Sequence, residues 1–319
     1  YYPALFRSFI PYKIISKHFF VLSAFIVPIL IINYIVPVAL SDFYWRKAKE
    51  QIQSGKIKQG DITLEFAAKW NPDNFRIHYQ RFLVYRDALK MTKVNGSPAE
   101  RDTLFADALL HLNRIENINP LMGIIPESRG NLFIENLDIP VDNREEKAIA
   151  EFNKALQLDP KLYRSRSSLA RLFEEKGDLN KALLLMNDGV KYYYSVYMTG
   201  LEKFYQYAVD LNLMSGDTIK AKEIQSKWEN NLIDEYKKEI RLNREQNNAR
   251  FQLAKLLEKQ GHLDEAVMVI NKGLVFVSES ITTNPAEFYQ YAIKLNLING
   301  DTVKAEEIQI EKGLLLDKK

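Results

Sequence analysis

The sequence predicts an all-α protein in which a single N-terminal transmembrane helix is followed by a solenoid of antiparallel helix pairs. Three observations support this fold class: a long uncharged apolar run near the start, a gap-free duplication at an offset of 84 residues, and helical periodicity without strand-like alternation. An 84-residue unit is too long for one helix pair and suits two pairs of about 42 residues, which is typical of α-hairpin solenoids.

The first element is the apolar segment at residues 19–40, which carries no formal charge. At about 1.5 Å rise per residue it reaches roughly 33 Å, enough to cross a hydrocarbon core of about 30 Å. We therefore predict a transmembrane helix that contacts the lipid bilayer over residues 19–40. A buried soluble helix and a cleaved signal peptide are the alternatives, but the length of the run and the aromatic residues that follow Leu40 favour a membrane span.

Residues 1–18 contain the basic residues Arg7, Lys13 and Lys17 and no acidic residue. Because basic residues accumulate on the cytoplasmic side, this predicts a cytoplasmic N-terminal segment and an extracytoplasmic, periplasmic remainder. The chain begins at Tyr1, and its first ten residues are mostly apolar. Residues 1–18 are therefore also interpretable as the end of a fragment whose missing part lies upstream.

The remainder of the chain is electrically neutral, because every Asp and Glu and all but three of the Lys and Arg follow Leu40. A neutral body lacks the field that neutralises phosphates, so we predict no nucleic-acid partner. The sequence contains no cysteine, which excludes disulfides, thiolate catalysis and cysteine-ligated metals.

The duplication lies within residues 147–319, where FYQYAVDLNLMSGDTIKAKEIQ from Phe204 parallels FYQYAIKLNLINGDTVKAEEIQ from Phe288. The stretches SLARLFEEKGDLNKALLLMNDGV and FQLAKLLEKQGHLDEAVMVINKGL form a second matching pair. Small Ala and Gly residues let helix axes approach, and the Gly before each second helix permits the turn. These residues resemble the tetratricopeptide-repeat family, and the resemblance implies a solenoid that binds other proteins.

Weaker copies of the same unit are predicted in residues 42–125, where LEFAAKWNP and ALLHLNRIENINP share the ending of AEFNKALQLDP. These copies are degenerate helical pairs with irregular spacing. Gly, Pro and Asn punctuate MTKVNGSPAE at Met91 and residues 126–146. We therefore predict a loop at the first segment and a loop or insertion at the second.

Residues suited to catalysis do not form a recognisable constellation in the sequence. The histidines, His18, His78, His111 and His262, lack metal-ligand spacing, and His262 reads as a solvated turn residue. There is no glycine-rich phosphate loop and no serine-nucleophile elbow. We therefore predict no catalytic residue, no cofactor, no metal site and no enzymatic activity in this chain.

Candidate partner-binding residues follow from the family resemblance, which implies that the first helix of each pair lines the concave face. This places ten residues there: Arg164, Ser167, Arg171, Glu174 and Glu175, with Asn248, Phe251, Lys255, Glu258 and Lys259 in the copy. A solvated helix face is the alternative interpretation. Tyr193 and Tyr194 align with Val277 and Ser278, so packing alone does not require them and they are further contact candidates, whereas Tyr192 and Tyr197 are predicted to be core.

Two functions from different classes fit these patterns. The first is a membrane-anchored scaffold for protein–protein interaction or complex assembly, whose partners are other proteins of a membrane complex; an assembly factor of a secretion or pilus machine shares every feature with it. The second rests on the Asn-Pro cadence, which resembles the C-terminal periplasmic repeat region of bacterial O-antigen ligases, polymerases or protein O-oligosaccharyltransferases. That resemblance implies a polytopic enzyme whose catalytic part lies upstream.

Overall fold

The regular structure is helical throughout the part of the chain that the computed structural model describes, namely residues 26, 28–136, 138–192, 200–277 and 284–316. This confirms the predicted all-α class. The chain divides into two units, residues 1–165 and 166–319, with the division inside one helix. The first unit contains α1 (Val36–Gln53), α2 (Ile57–Trp70), α3 (Phe75–Met91), α4 (Pro98–Ile118), α5 (Ile124–Glu135) and α6 (Arg144–Leu158).

The remaining eight helices of the described ranges form two sets of four, α7–α10 and α11–α14, which repeat at an offset of 84 residues. The first set is α7 (Tyr163–Glu175), α8 (Leu179–Gly189), α9 (Leu201–Met214) and α10 (Thr218–Leu242). The second set is α11 (Asn247–Lys259), α12 (Leu263–Gly273), α13 (Pro285–Ile298) and α14 (Thr302–Leu316), with a 3-10 turn at Leu274–Phe276 after α12.

One helix of the described chain, Pro28–Gln53, is long and apolar enough to cross a membrane. It includes a π-helical turn at Ile31–Ile35 in which the Asn33 amide donates to the Ile29 carbonyl at 2.8 Å, so that amide is satisfied within the helix. The helix continues well past Leu40, the predicted end of the span, because no Gly or Pro stops it before Gly55, which has a φ of +81°.

The first unit is built from the adjacent pairs α1–α2, α3–α4 and α5–α6, which pack against each other in chain order. In the first pair the buried Ala48 of α1 faces Leu64 and Ala67 of α2, and Ile77 of α3 completes this small core. The small alanines let the helix axes approach closely.

The prediction of a loop over residues 126–146 is wrong for the part that forms α5. Pro126 is the third residue of that helix, where a missing N–H costs little because the first amides have no intrahelical acceptor. Gly130 lies against the Phe152 ring of α6, and a Cβ there would come within 2.8 Å of the ring. The glycine therefore permits close helix packing rather than a turn. The predicted loop after Met91 is present between α3 and α4.

Two turns inside the helix pairs of the second unit, one in each copy, share the same chemistry. Gly177 and Gly300 end their helices with φ near +80°, a region that costs glycine little. The next residue, Asp178 or Asp301, begins the following helix, where its carboxylate accepts from the Lys181 or Lys304 amide. Local residues therefore set these boundaries in both copies.

The second helix of each duplicated set passes close to the third at a glycine. A Cβ at Gly189 would lie 2.8 Å from the Phe204 ring, and one at Gly273 would lie 2.5 Å from the Phe288 ring. Phe204 and Phe288 are both fully buried. The duplication therefore extends from the helix bounds to the packing of the core.

Candidate functional site

The first helices of the two pairs in the second copy, α11 and α13, line an open cavity of about 510 Å³. We call this cavity the α11–α13 groove. Its walls are Phe251, Lys255 and Glu258 from α11 and Glu287, Gln290, Tyr291 and Lys294 from α13. The structure thus brings together three of the residues that the sequence indicated for α11.

Aromatic rings form the floor of the groove. The Phe251 and Tyr291 rings meet edge to face, with centroids 5.1 Å apart, and Phe251 also stacks on the buried Phe288. Phe251 is only 5% exposed, so most of its surface belongs to the core. The Lys255 ammonium lies 4.1 Å from the Phe251 ring centroid, within the range of a cation–π contact. The floor is therefore part of the packed core, and one exposed cation lies over it.

Glu258 is the polar centre of the groove. The Tyr291 hydroxyl donates to its Oε2 at 2.7 Å, and the Lys294 ammonium donates to its Oε1 at 2.8 Å. These hydrogen bonds, that of Lys294 first, lower the pKa of Glu258, while burial and the nearby carboxylate raise the pKa of Tyr291. Glu258 is therefore ionised and Tyr291 neutral at physiological pH.

Lys255 is held less closely by a carboxylate than Lys294 is. Its ammonium is 3.9 Å from the Glu287 carboxylate, which is too long for a hydrogen bond, and it donates to no other described group. Lys255 and Lys294 balance Glu258 and Glu287, so the groove is neutral overall. A neutral groove with separated charges suits a polar segment that carries both hydrogen-bonding and charged groups.

The first copy repeats this arrangement between α7 and α9. The Tyr207 hydroxyl donates to Glu174 at 2.6 Å, and the Arg171 guanidinium lies 5.2 Å from the Tyr207 ring centroid. Burial and the Glu174 carboxylate raise the pKa of Tyr207, as they do for its counterpart. The residue equivalent to Lys294 in this copy is Asp210, whose carboxylate accepts a hydrogen bond from the Gln206 amide at 2.8 Å. The aromatic–carboxylate–cation set is thus common to both copies.

The other sequence-predicted residues are scattered. Arg164 lies in the first unit, over the Tyr163 ring at 5.8 Å. Ser167 is half-buried, Glu175 and Asn248 are exposed, and Lys259 forms an ion pair with Glu229 at 2.6 Å. Tyr193, Tyr194 and Tyr197 lie outside the described residues. Tyr192, predicted as core, is half-buried beneath the Arg166 guanidinium at 5.1 Å.

Sequence reasoning missed the contribution of α9 and α13, which supply Tyr207, Tyr291, Gln290 and Lys294. The sequence prediction placed candidate residues only on α7 and α11, the first helix of one pair in each copy. The other wall of the groove comes from the first helix of the next pair, α9 or α13. A signal existed in the pentapeptide FYQYA, which is identical in the two copies. Its second tyrosine is Tyr207 in the first copy and Tyr291 in the second.

Comparison with known proteins supports the repeat interpretation. The family model described as tetratricopeptide repeat matches residues 142–162, which confirms the predicted resemblance. No curated protein matches the chain at a significant level.

Similar solved structures include three proteins that cover much of the chain. A MamA crystal structure has a TM-score of 0.41 at 15% identity, with 59% of this chain and 90% of that chain covered. PilW, a type IV pilus biogenesis factor, has a TM-score of 0.34 at 17% identity, with 85% of this chain and 91% of that chain covered. Pseudomonas aeruginosa pilF has a TM-score of 0.33 at 16% identity, with 76% of this chain and 92% of that chain covered. At these TM-scores the three likenesses carry no argument about function.

Proposed function

We propose that this chain, which carries tetratricopeptide repeats, is a membrane-anchored scaffold that binds a segment of another protein in the α11–α13 groove. The observation that carries the proposal is the set of Tyr291, Glu258 and Lys255, which recurs in the first copy as Tyr207, Glu174 and Arg171. Each set holds a basic side chain over a tyrosine ring beside a carboxylate. Such sets offer a rigid aromatic surface and one charge of each sign to a peptide.

The proposed anchor is the helix that starts the described chain. Ile32, Tyr34, Ile35 and Val38 are each more than half exposed, although such side chains gain about 1.5–3 kcal/mol when removed from water. A bilayer would cover them. The positive residues of 1–18 support a cytoplasmic start and a periplasmic repeat region, with partners in a membrane complex.

A photo-crosslinking residue at Gln290 tests the groove directly, because this position is exposed and lines it. We expect defined protein adducts in native membranes, and few at Met268, an exposed position on the second helix α12. Lys255→Glu should lower the adduct yield at Gln290 about fivefold, since losing roughly 1 kcal/mol of binding weakens affinity by that factor.

The groove proposal fails if Gln290 and Met268 give the same adducts, or if Lys255→Glu leaves the yield unchanged while the chain stays folded. Lys222→Glu, at an exposed site on α10, is the matched charge-reversal control and should change nothing.

Membrane topology is open to a thiol-labelling test because the natural sequence contains no cysteine. Ser54→Cys places a thiol in the exposed turn after α1, and Ser8→Cys places one before the apolar run. With a membrane-impermeant maleimide on intact cells, we expect labelling of Ser54→Cys, and of Ser8→Cys only after permeabilisation. The reverse pattern would overturn the orientation, and recovery of both variants in the soluble fraction would overturn the anchor.

The resemblance to the tail of a ligase or oligosaccharyltransferase stays a prediction, since no contact in the described structure favours it over the scaffold. Reading the native coding sequence upstream of Tyr1 separates the two. Many further membrane spans would make this chain the tail of a polytopic enzyme, whereas a short start would leave the anchored scaffold.

A further inference from the structure

A second cavity in the second unit, of about 540 Å³, lies between α10, α11 and α12. We call it the α10–α12 cavity. Its charged wall residues are Asp234, Lys237, Arg241, Arg250 and Lys272, and apolar residues such as Leu253 line the rest. Basic residues therefore outnumber acidic ones four to one in a volume of the size that holds small molecules.

Arg250 is the buried member of this group, with 5% of its surface exposed. Its contacts among the described residues are the Asn247 side-chain oxygen at 3.5 Å and the Phe276 ring at 5.0 Å. Neither is a counter-charge, and burial lowers the pKa of the Arg250 guanidinium. A buried cation without an anion is costly, so the protein gains stability if an anion enters the cavity.

The duplication provides an internal comparison. Arg166 is the counterpart of Arg250 and is equally buried, but it forms an ion pair with Asp188 at 2.9 Å. The position of Asp188 is occupied by Lys272 in the second copy. The carboxylate that neutralises the buried arginine in one copy is thus replaced by a second cation in the other.

The other basic residues of the cavity follow the same trend. Lys237 and Arg241 of α10 align with Asn153 and Gln157 of α6, which lies 84 residues earlier and carries neither charge. Lys237 is neutralised by Glu265 at 2.8 Å. Arg241, Arg250 and Lys272 have no ion pair with a described residue, and Asp234 is the carboxylate of the wall. The unpaired groups therefore carry a net charge of two positive units.

We propose that the α10–α12 cavity binds a doubly charged phosphate group, either free or as a small phosphate monoester. A dianion matches the net charge of the unpaired groups. A guanidinium fork binds phosphate oxygens in pairs, and an ammonium adds a mobile point charge. The apolar wall accommodates the organic part of a monoester. This site is independent of the α11–α13 groove and of the scaffold function.

The test uses the full chain with inorganic phosphate and glycerol phosphate as probes, against sodium chloride at matched ionic strength. Thermal unfolding and calorimetric titration are the readouts. We expect both phosphates to raise the Tm of the natural protein more than chloride does. Lys272→Asp recreates the ion pair of the first copy, so it should raise the Tm without phosphate and weaken phosphate binding at least tenfold.

Two further variants separate a specific site from a general charge effect. Arg241→Gln installs, at an exposed position, the residue that α6 carries 84 positions earlier, and it should weaken binding severalfold with little change in the phosphate-free Tm. Lys222→Asp, at an exposed site outside the cavity, should leave binding unchanged. The proposal is overturned if chloride stabilises the natural protein as much as phosphate, or if Lys272→Asp binds phosphate as tightly as the natural protein.

Discussion

Replacing Arg129 with methionine is expected to lower the free energy of unfolding of the first unit by about 3 kcal/mol. Arg129 of α5 is 7% exposed and donates to both oxygens of Glu151 on α6, at 2.9 and 3.0 Å. It also donates to Glu116 at 2.7 Å and to Asn113 at 3.1 Å, both on α4. One guanidinium thus joins three helices, and its removal takes this partner from Glu151 and leaves Glu116 with Lys154 alone.

The carboxylates of Glu116 and Glu151 keep 22% and 19% of their surface in water, so the expected loss is at the lower end for a broken buried ion pair. Hydrogen exchange of the α4–α6 amides in increasing urea measures it locally. Lys154→Met is the control, because Lys154 also pairs with Glu116 but is 47% exposed and should cost less than about 1 kcal/mol. A loss from Arg129→Met no greater than that control would contradict the assignment.

Acidification from pH 7.5 to 4.5 is expected to destabilise the first unit by about 2.5 kcal/mol through His111 alone. Burial, followed by the charges of Arg81, His78 and Arg114, lowers the pKa of His111 from 6.5 to about 3. Between these two pKa values, His111 is protonated in the unfolded chain and neutral in the folded chain. Stability is complete above the unfolded pKa and falls by about 1.4 kcal/mol for each pH unit below it, until the folded pKa is reached.

The hydrogen bonds of the histidine pair explain why both rings are neutral. The Nε2 of His78 is 2.8 Å from the Pro72 carbonyl, which can only accept, so His78 carries its proton there. The Nδ1 atoms of His78 and His111 are 3.2 Å apart, so His111 donates and His78 accepts. A second proton on His78 would place two donors face to face, and burial lowers the pKa of His78 as well.

Urea unfolding at several pH values between 4.5 and 7.5 measures this dependence, and the slope above about pH 5 is the informative part because ordinary Asp and Glu titrate near pH 4. His111→Gln should reduce the pH slope because it removes one of the two titrating rings. His262→Gln, at an exposed position of the second unit, is the matched substitution control. A slope that survives in His111→Gln would show that other groups govern the acid response.

Much of the fold was determined by the sequence alone, because its signals act within a few residues. Glycines that adopt positive φ and the aspartates that follow them bound the helices, and the 84-residue offset predicts the same helices twice. The long uncharged run indicates an apolar helix in the same way. These features depend on backbone preference and local hydrogen bonds, which neighbouring residues decide.

Only the tertiary structure decided which glycines turn and which pack, and which charges find partners. In the sequence, Gly130 indicates a loop, but in the structure it packs against the Phe152 ring of α6. Arg166 and Arg250 occupy equivalent positions, yet one meets Asp188 and the other Lys272. The physical reason is distance along the chain: these partners are more than twenty residues apart, so packing brings them together and local preference does not encode the contact.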